Sequence, residues 1–213
     1  MSEETLRRRE HAGMCAIDPD AMNAGQRGAI RRGGDLVAWV SGVNLLGEAF
    51  DPHEFDRDRK AAGDGTPVVI RSGWVEDGSR PAWMPASRGR FRERCEAMED
   101  FGGEWWIWPR WDHVLSDVPS VQTFFRERSA EKTRWGLVLD VMGLLSEEMR
   151  GGAAMDHVER IVLALGMHPA LRGVILPGQD GTSGNHVPLE QEIHKRLVRD
   201  VAGDVAWIEA TGA

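Results

Sequence analysis

The sequence contains no tyrosine, only two cysteines, and only three lysines among its 26 basic residues. The cysteines, Cys15 and Cys95, lie far apart in the chain, and no closely spaced cysteine pair occurs. The sequence therefore supports neither a disulfide framework nor a cysteine-based zinc site. The shortage of lysine and tyrosine, together with abundant arginine and glycine, is typical of a high-GC genome and indicates a bacterial or phage source.

Long hydrophobic runs are also missing. The most apolar stretch, Trp135 to Leu145, includes Asp140 and is shorter than the roughly 18 residues that a membrane-spanning helix needs. The segment Met1 to Glu10 is charged, and no apolar segment follows it, so no signal peptide is predicted. We therefore expect a soluble cytoplasmic protein, or a virion protein if the gene belongs to a phage, and no membrane partner.

Acidic residues outnumber basic residues by 34 to 26, which gives a formal net charge of −8 at pH 7. The basic clusters are short and carry acidic neighbours, as Arg7, Arg8 and Arg9 do, so a nucleic-acid partner is not expected. Hydrophobic residues make up 41% of the 213 residues, which is enough to build a buried core. We expect one globular domain over 1–213, either undivided or divided internally into a mixed α/β part, 1–116, and a helical part, 117–213.

The hydrophobic pattern predicts a helix-dominated α+β domain with about six to eight helices and two or three short strands, or alternatively an all-α bundle. Strands are predicted at Pro67 to Arg71, Glu104 to Trp108 and Val205 to Ile208. The longest helix is predicted from Ala130 to Arg150, and its apolar face is expected to pack against a helix from Ala153 to Leu165. Further helices are predicted at 2–14, 18–32, 35–46, 51–62, 87–101, 119–128 and 188–201.

Tryptophan is concentrated in one short segment, which holds Trp105, Trp106, Trp108 and Trp111 together with Arg110. On a strand, Trp106 and Trp108 share one face and Trp105 lies on the other. Large indoles of this kind form a core, a protein interface, or a stacking surface for sugars or bases. We expect at least one indole of the strand to be buried and another to lie at the surface, and these five residues are the candidate interaction site.

A second candidate site is a metal centre formed by His186, Glu190 and His194. On one straight helix the two histidines would lie about 12 Å apart, so both can bind one zinc only if His186 folds back from the preceding loop. A surface helix that carries an acid–imidazole pair is the alternative interpretation. The acidic segment Asp51 to Asp58 is a further metal candidate, although a solvated helix start explains it as well. No cofactor is expected otherwise, and a divalent metal is the alternative.

Catalytic motifs are missing from the sequence. The segment Gly181 to Asn185 lacks the last glycine of a nucleophile elbow, and no phosphate-binding loop occurs. The sequence therefore favours a non-enzymatic structural or protein-interaction subunit of a bacterial or phage multi-protein assembly, with a protein partner or a second copy of itself. The alternatives are a hydrolase or nuclease whose metal activates water, and an acidic inhibitor of a nucleic-acid-binding protein.

Overall fold

The computed structural model describes residues 14–17, 22–48, 50–76, 81–128, 134–177, 189–201 and 205–209. Within them, eight strands follow one another in chain order around a closed barrel, and the last strand pairs with the first. The strands are β1 (Met14–Ile17), β2 (Gly28–Arg32), β3 (Asp35–Val40), β4 (Val68–Arg71), β5 (Glu104–Trp108), β6 (Arg134–Asp140), β7 (Leu171–Leu176) and β8 (Ala206–Glu209).

Seven of these strands run parallel to one another, whereas β2 runs antiparallel to both of its neighbours. Gly33 and Gly34 form the tight turn between β2 and β3, with φ angles of 57° and 100°. A two-residue turn of this kind needs a positive φ at both positions, which glycine adopts without strain. The seven parallel strands all end at one end of the barrel, which we call the carboxyl end.

Among the described residues, helices follow the parallel strands β3 to β7 and cover the outside of the barrel. The first of them begins after Asp51, whose carboxylate accepts a hydrogen bond of 2.9 Å from the His53 backbone N–H, and Pro52 occupies the first helical position. A short 3-10 helix, Glu148–Arg150, separates the fourth and fifth helices. The helices are α1 (Pro52–Ala62), α2 (Pro85–Glu99), α3 (Val118–Arg128), α4 (Val141–Leu144), α5 (Ala154–Leu165) and α6 (Leu189–Asp200).

The strands bury both of their faces. Outward-facing side chains such as Trp105 and Leu137 pack against the helices, while Trp106 and Trp108 point into the barrel. The inside of the barrel is a separate apolar cluster formed by Cys15, Ile17, Ile30, Ala38, Val40, Val69, Trp106, Trp108, Val138, Ile175, Ala206 and Ile208.

The expected helix-dominated α+β domain with two or three short strands is wrong, and so is the all-α alternative, because the described residues form an eight-stranded barrel. Three predicted helices, 18–32, 35–46 and 130–150, instead contain the strands β2, β3 and β6, and the strands β1 and β7 were not predicted at all. The physical reason is burial on both faces. A parallel strand covered by helices on one side and by the barrel interior on the other shows a continuous apolar run rather than alternation.

Other elements agree with the sequence. The predicted strands at β4, β5 and β8 are confirmed, and so are the helices at α1, α2, α3, α5 and α6, with ends that differ by a few residues. The apolar face of the helix predicted at 130–150 was expected to include Leu139 and Leu145, and both are buried, although Leu139 lies on a strand and Leu145 follows α4. The helix predicted at 2–14 lies almost entirely outside the described residues.

Gly136 on β6 leaves room for the indole of Trp106 inside the barrel. A Cβ atom at this glycine would lie 2.5 Å from Cδ1 of Trp106 and 2.6 Å from Cγ of Arg172. We expect Gly136→Ala to lower the free energy of unfolding by about 1–3 kcal/mol, because the buried ring would have to move. Chemical denaturation measures this loss.

Gly89 provides the matched control for this prediction. It is exposed in the interior of α2, and a Cβ atom there would meet nothing within 4 Å. Gly89→Ala is expected to raise the free energy of unfolding by about 0.5–1 kcal/mol, because alanine favours the helix. Equal effects of the two substitutions would contradict the close packing inside the barrel.

Candidate functional site at the carboxyl end of the barrel

Polar side chains replace the apolar interior at the carboxyl end of the barrel. On β4 and β6, the inward-facing Val69 and Val138 are each followed two residues later by a charged residue, Arg71 and Asp140. Between these strands lies Trp108 on β5. We call Arg71, Trp108, Arg110, His113 and Asp140 the polar cluster.

Arg71 is the innermost cation of the polar cluster and is 1% exposed. Its guanidinium carbon lies 4.9 Å from the centroid of the Trp108 ring, a cation–π contact. Burial and the nearby charge of Arg110 lower the pKa of Arg71 to about 10, and Asp140 opposes this change. Arg71 is therefore positively charged at neutral pH but is held in surroundings that disfavour its charge.

Asp140 is a buried carboxylate that two donors hold in place. Its Oδ2 atom accepts a hydrogen bond of 3.2 Å from Nε1 of Trp108, and its Oδ1 atom accepts one of 2.8 Å from the backbone N–H of Gly143. A Cβ atom at Gly143 would collide with this carboxylate, so α4 can approach Asp140 so closely only with glycine at this position. The carboxylate is fixed beside Trp108 and caps α4 at the same time.

His113 lies in the loop between β5 and α3 and is 1% exposed. Its ring stacks on Trp74, with 5.6 Å between the ring centroids and 28° between the planes. Burial, followed by the charges of Arg110 and Arg71, lowers the pKa of His113 well below its ordinary value. His113 is therefore neutral at pH 7.

The loop that carries Arg110 and His113 is hydrogen-bonded to the segments that follow β4 and β6. The backbone N–H of Trp111 donates to the carbonyl of Gly143 on α4 at 2.8 Å, after β6. The backbone N–H of Val114 donates to the carbonyl of Gly73 at 3.1 Å, after β4. The segments that follow β4, β5 and β6 are thus joined at the carboxyl end of the barrel.

The polar cluster combines several chemical capacities in a largely buried site. Arg71 and Arg110 offer guanidinium groups, which bind carboxylates and phosphates through paired hydrogen bonds. Burial and the two cations lower the pKa of His113, so its neutral ring offers hydrogen-bonding atoms rather than a strong base. The arrangement suits the binding of an anionic ligand.

The pH dependence of stability tests the buried state of His113. The unfolded chain binds a proton at this histidine below about pH 6.5, whereas the folded chain does so only at much lower pH. The stability associated with neutral His113 is therefore present above pH 6.5 and is lost as the pH falls below it. Between pH 6.5 and 5 we expect the wild-type protein to lose about 1–2 kcal/mol more than His113→Gln does.

Denaturant titrations at several pH values measure this difference. His168 also has a lowered pKa because of burial, but it is present in both proteins and cancels in the comparison. Identical pH slopes for the wild type and His113→Gln would show that His113 is protonated as readily in the folded chain as in the unfolded one.

The tryptophan segment is placed differently from the expectation. Trp105, Trp106 and Trp108 are 0%, 6% and 0% exposed, so the expectation that one indole of the strand lies at the surface is wrong. The strand is covered on both faces because it is central in a closed barrel. Trp111, outside the strand, is 39% exposed and is the tryptophan of this group that solvent reaches, and the proposed role of these residues with Arg110 in protein contacts stays a prediction.

The structure describes two of the three candidate metal ligands. Glu190 and His194 lie on α6, and His186 lies outside the described residues, so the three-residue metal site stays a prediction. In the described part of the chain, no group of three or more His, Cys, Asp or Glu side chains is arranged to hold a metal ion. In the acidic segment, the buried Asp58 instead accepts hydrogen bonds from Ser41 Oγ at 2.5 Å and from Arg27 Nε at 2.7 Å.

Sequence reasoning missed three residues of the polar cluster, Arg71, His113 and Asp140. A signal was present for both charged residues, since Arg71 closes a continuous apolar run and Asp140 interrupts one. In a parallel sheet such a residue lies at the carboxyl end of its strand, where ligands bind. The signal for Asp140 was lost because its segment was predicted to be a helix.

Comparisons with known proteins add no identity. No family model, no curated protein and no solved structure matches the chain. Across the described residues, the helices are too short or too polar to cross a lipid bilayer.

Proposed function

We propose that the protein binds a small organic anion, a carboxylate or a phosphate ester, at the carboxyl end of its barrel. The observation that supports this proposal is the burial of the Arg71 guanidinium at that end, where the apolar interior gives way to the polar cluster. Asp140 favours the charge of Arg71, but burial and the charge of Arg110 outweigh this effect and lower the pKa of Arg71. A bound anion would supply further negative charge at this position.

The position of Arg110 supports the same proposal. Arg110 lies close enough to Arg71 for its charge to be one cause, after burial, of the lowered pKa of Arg71. An anion bound between the two guanidinium groups removes this repulsion. By analogy, barrels of parallel strands and helices bind their ligands at the carboxyl end, although an analogy of fold alone does not fix a function.

Thermal unfolding in the presence of matched small molecules tests the proposal. Glycerol 3-phosphate and glycerate share a three-carbon skeleton with uncharged glycerol, and inorganic phosphate has no carbon skeleton. At least one of the anions is expected to stabilise the wild-type protein, by about 1.4 kcal/mol at ten times its Kd, whereas glycerol at the same concentration is not.

Two variants make this experiment specific for the site. Arg71→Met is expected to abolish the stabilisation by the anion. Arg172→Met is the control, because Arg172 lies on β7 near Glu104 at the opposite end of the barrel, and this variant should respond as the wild type does. The proposal is rejected if no anion stabilises the wild type or if Arg71→Met keeps the full response.

A second candidate function is that of a protein-interaction subunit, and one observation favours it. Trp83, Met84 and Trp111 are 45%, 40% and 39% exposed in the two loops that leave β4 and β5 at the carboxyl end. Exposed tryptophan and methionine are enriched where proteins bind each other. We therefore propose, as the alternative, that this end contacts a protein partner or a second copy of the chain.

Sedimentation analysis separates this alternative from the first proposal. A double variant, Trp83→Ala with Trp111→Ala, should lower self-association or partner binding and keep the anion response. Leu163→Ala is the matched control, because Leu163 is 82% exposed on α5 and belongs to neither loop. If the double variant and the control behave alike, the exposed tryptophans are not an interface.

A further inference from the structure

The helices α2 and α3 enclose a groove on the outside of the barrel, with a volume of about 280 Å³. Its apolar lining comes from Phe91 on α2, Phe124 on α3, and Val114 and Leu115 in the loop that leads to α3. These side chains belong to the main apolar core. The groove is separate from the polar cluster, although Val114 directly follows His113 in the chain.

Charged side chains close and border this groove. At one end, Nη2 of Arg92 and Oε2 of Glu127 form an ion pair of 2.9 Å across the two helices. Arg88, one helical turn before Arg92, also lines the groove and is exposed. Among the described residues Arg88 makes no ion pair, so its guanidinium group is available at the rim.

The beginning of α3 contributes no anion site of its own. The carboxylate of Asp117 already accepts a hydrogen bond of 2.8 Å from the backbone N–H of Ser120 and so caps the helix. The available positive charge therefore comes from Arg88 rather than from the end of the helix. It lies at the rim of a groove whose depth is apolar.

We infer that the groove between α2 and α3 is a second binding site, which takes a small amphipathic carboxylate. The apolar body of this molecule lies against Phe91, Leu115 and Phe124, and its carboxylate pairs with Arg88. A guanidinium group binds a carboxylate through two parallel hydrogen bonds, and aromatic side chains favour a ring as the apolar body. The inference is independent of the anion site proposed at the carboxyl end.

Titration calorimetry with 4-phenylbutyrate tests this inference. The wild-type protein is expected to bind one molecule saturably, and the uncharged 4-phenylbutanamide should bind at least fivefold more weakly. Arg88→Gln should weaken the binding of 4-phenylbutyrate at least fivefold. Arg90→Gln is the matched control on the same helix, because Arg90 does not line the groove, and it should bind as the wild type does.

Two further variants test where 4-phenylbutyrate binds. Thr123→Trp fills the groove from α3 and should abolish binding, whereas Arg71→Met, in the barrel interior, should leave it unchanged. If Thr123→Trp does not fold, the comparison of Arg88→Gln with Arg90→Gln tests the inference instead. The inference is overturned if 4-phenylbutyrate does not bind the wild type, if Arg88→Gln binds it equally well, or if Arg71→Met abolishes binding.

Discussion

Replacing Trp105 by alanine is expected to lower the free energy of unfolding by about 3–5 kcal/mol, because the change removes a large and fully buried ring. Trp105 is 0% exposed on the outward face of β5 and meets Phe55 of α1 edge to face, with 6.0 Å between the ring centroids. The substitution leaves a cavity between the barrel and its helices. Chemical denaturation monitored by circular dichroism measures the loss.

Two other substitutions serve as comparisons for Trp105→Ala. Among the described residues, Nε1 of Trp105 has no hydrogen-bond partner, so Trp105→Phe loses packing alone and should cost less than Trp105→Ala. Trp111→Ala should change the stability by less than about 1 kcal/mol, because Trp111 is 39% exposed. A small loss for Trp105→Ala, or an equal loss for Trp111→Ala, would contradict the burial of β5 between two apolar layers.

The second large effect is expected for Arg71→Met, and it has the opposite sign. A pKa lowered to about 10 corresponds to roughly 3 kcal/mol against the charged form of this side chain in the folded chain. Methionine removes that cost and keeps an apolar contact with Trp108, while the cation–π contact and the attraction between Arg71 and Asp140 are lost. We expect Arg71→Met to raise the free energy of unfolding by about 1–2 kcal/mol.

This gain in stability is expected together with the loss of anion binding. A site kept for function commonly costs stability, and removing its charge then stabilises the fold. If Arg71→Met instead lowers the free energy of unfolding by more than about 1 kcal/mol, Arg71 is a structural residue. The free energy of unfolding of the variant therefore separates a functional arginine from a structural one.

Whether the sequence predicts an element correctly depends on how the rest of the fold covers that element. The helix α1 was predicted correctly because Asp51 and Pro52 mark its start by local chemistry, which does not depend on the rest of the fold. The strand β5 was predicted correctly because its aromatic residues favour an extended chain and Pro109 follows it. Local signals of this kind are visible in one sequence.

The barrel itself was not predictable from these local signals. The strand β6 places Trp135 and Leu139 against the helices and Val138 inside the barrel, so it is apolar on both faces. Such a run matches the spacing of a buried helix as well as that of a strand, and the choice between them is made by pairing with β5 and β7. This pairing is a property of the whole fold.

For the same reason, the candidate site could not be predicted without knowledge of the barrel. Arg71 and Asp140 are far apart in the chain and come together only because β4, β5 and β6 are neighbours in the sheet. The tryptophan segment was correctly recognised as unusual. The interpretation of this segment changed because Trp108 lies inside the barrel. There, Trp108 contacts Arg71 and donates a hydrogen bond to Asp140.

The indole N–H signals of Trp108 and Trp106 provide the most direct test of the anion site. These two buried residues lie on one strand, but Nε1 of Trp108 donates to Asp140 in the polar cluster and Nε1 of Trp106 donates to Glu104 near the other end. Substitution of each by phenylalanine assigns its signal in a proton–nitrogen correlation spectrum. During titration with glycerol 3-phosphate or glycerate, we expect the Trp108 signal to shift saturably with at least one of them while the Trp106 signal stays in place. If the Trp108 signal shifts no more than the Trp106 signal with either anion, the carboxyl end of the barrel is not the anion site.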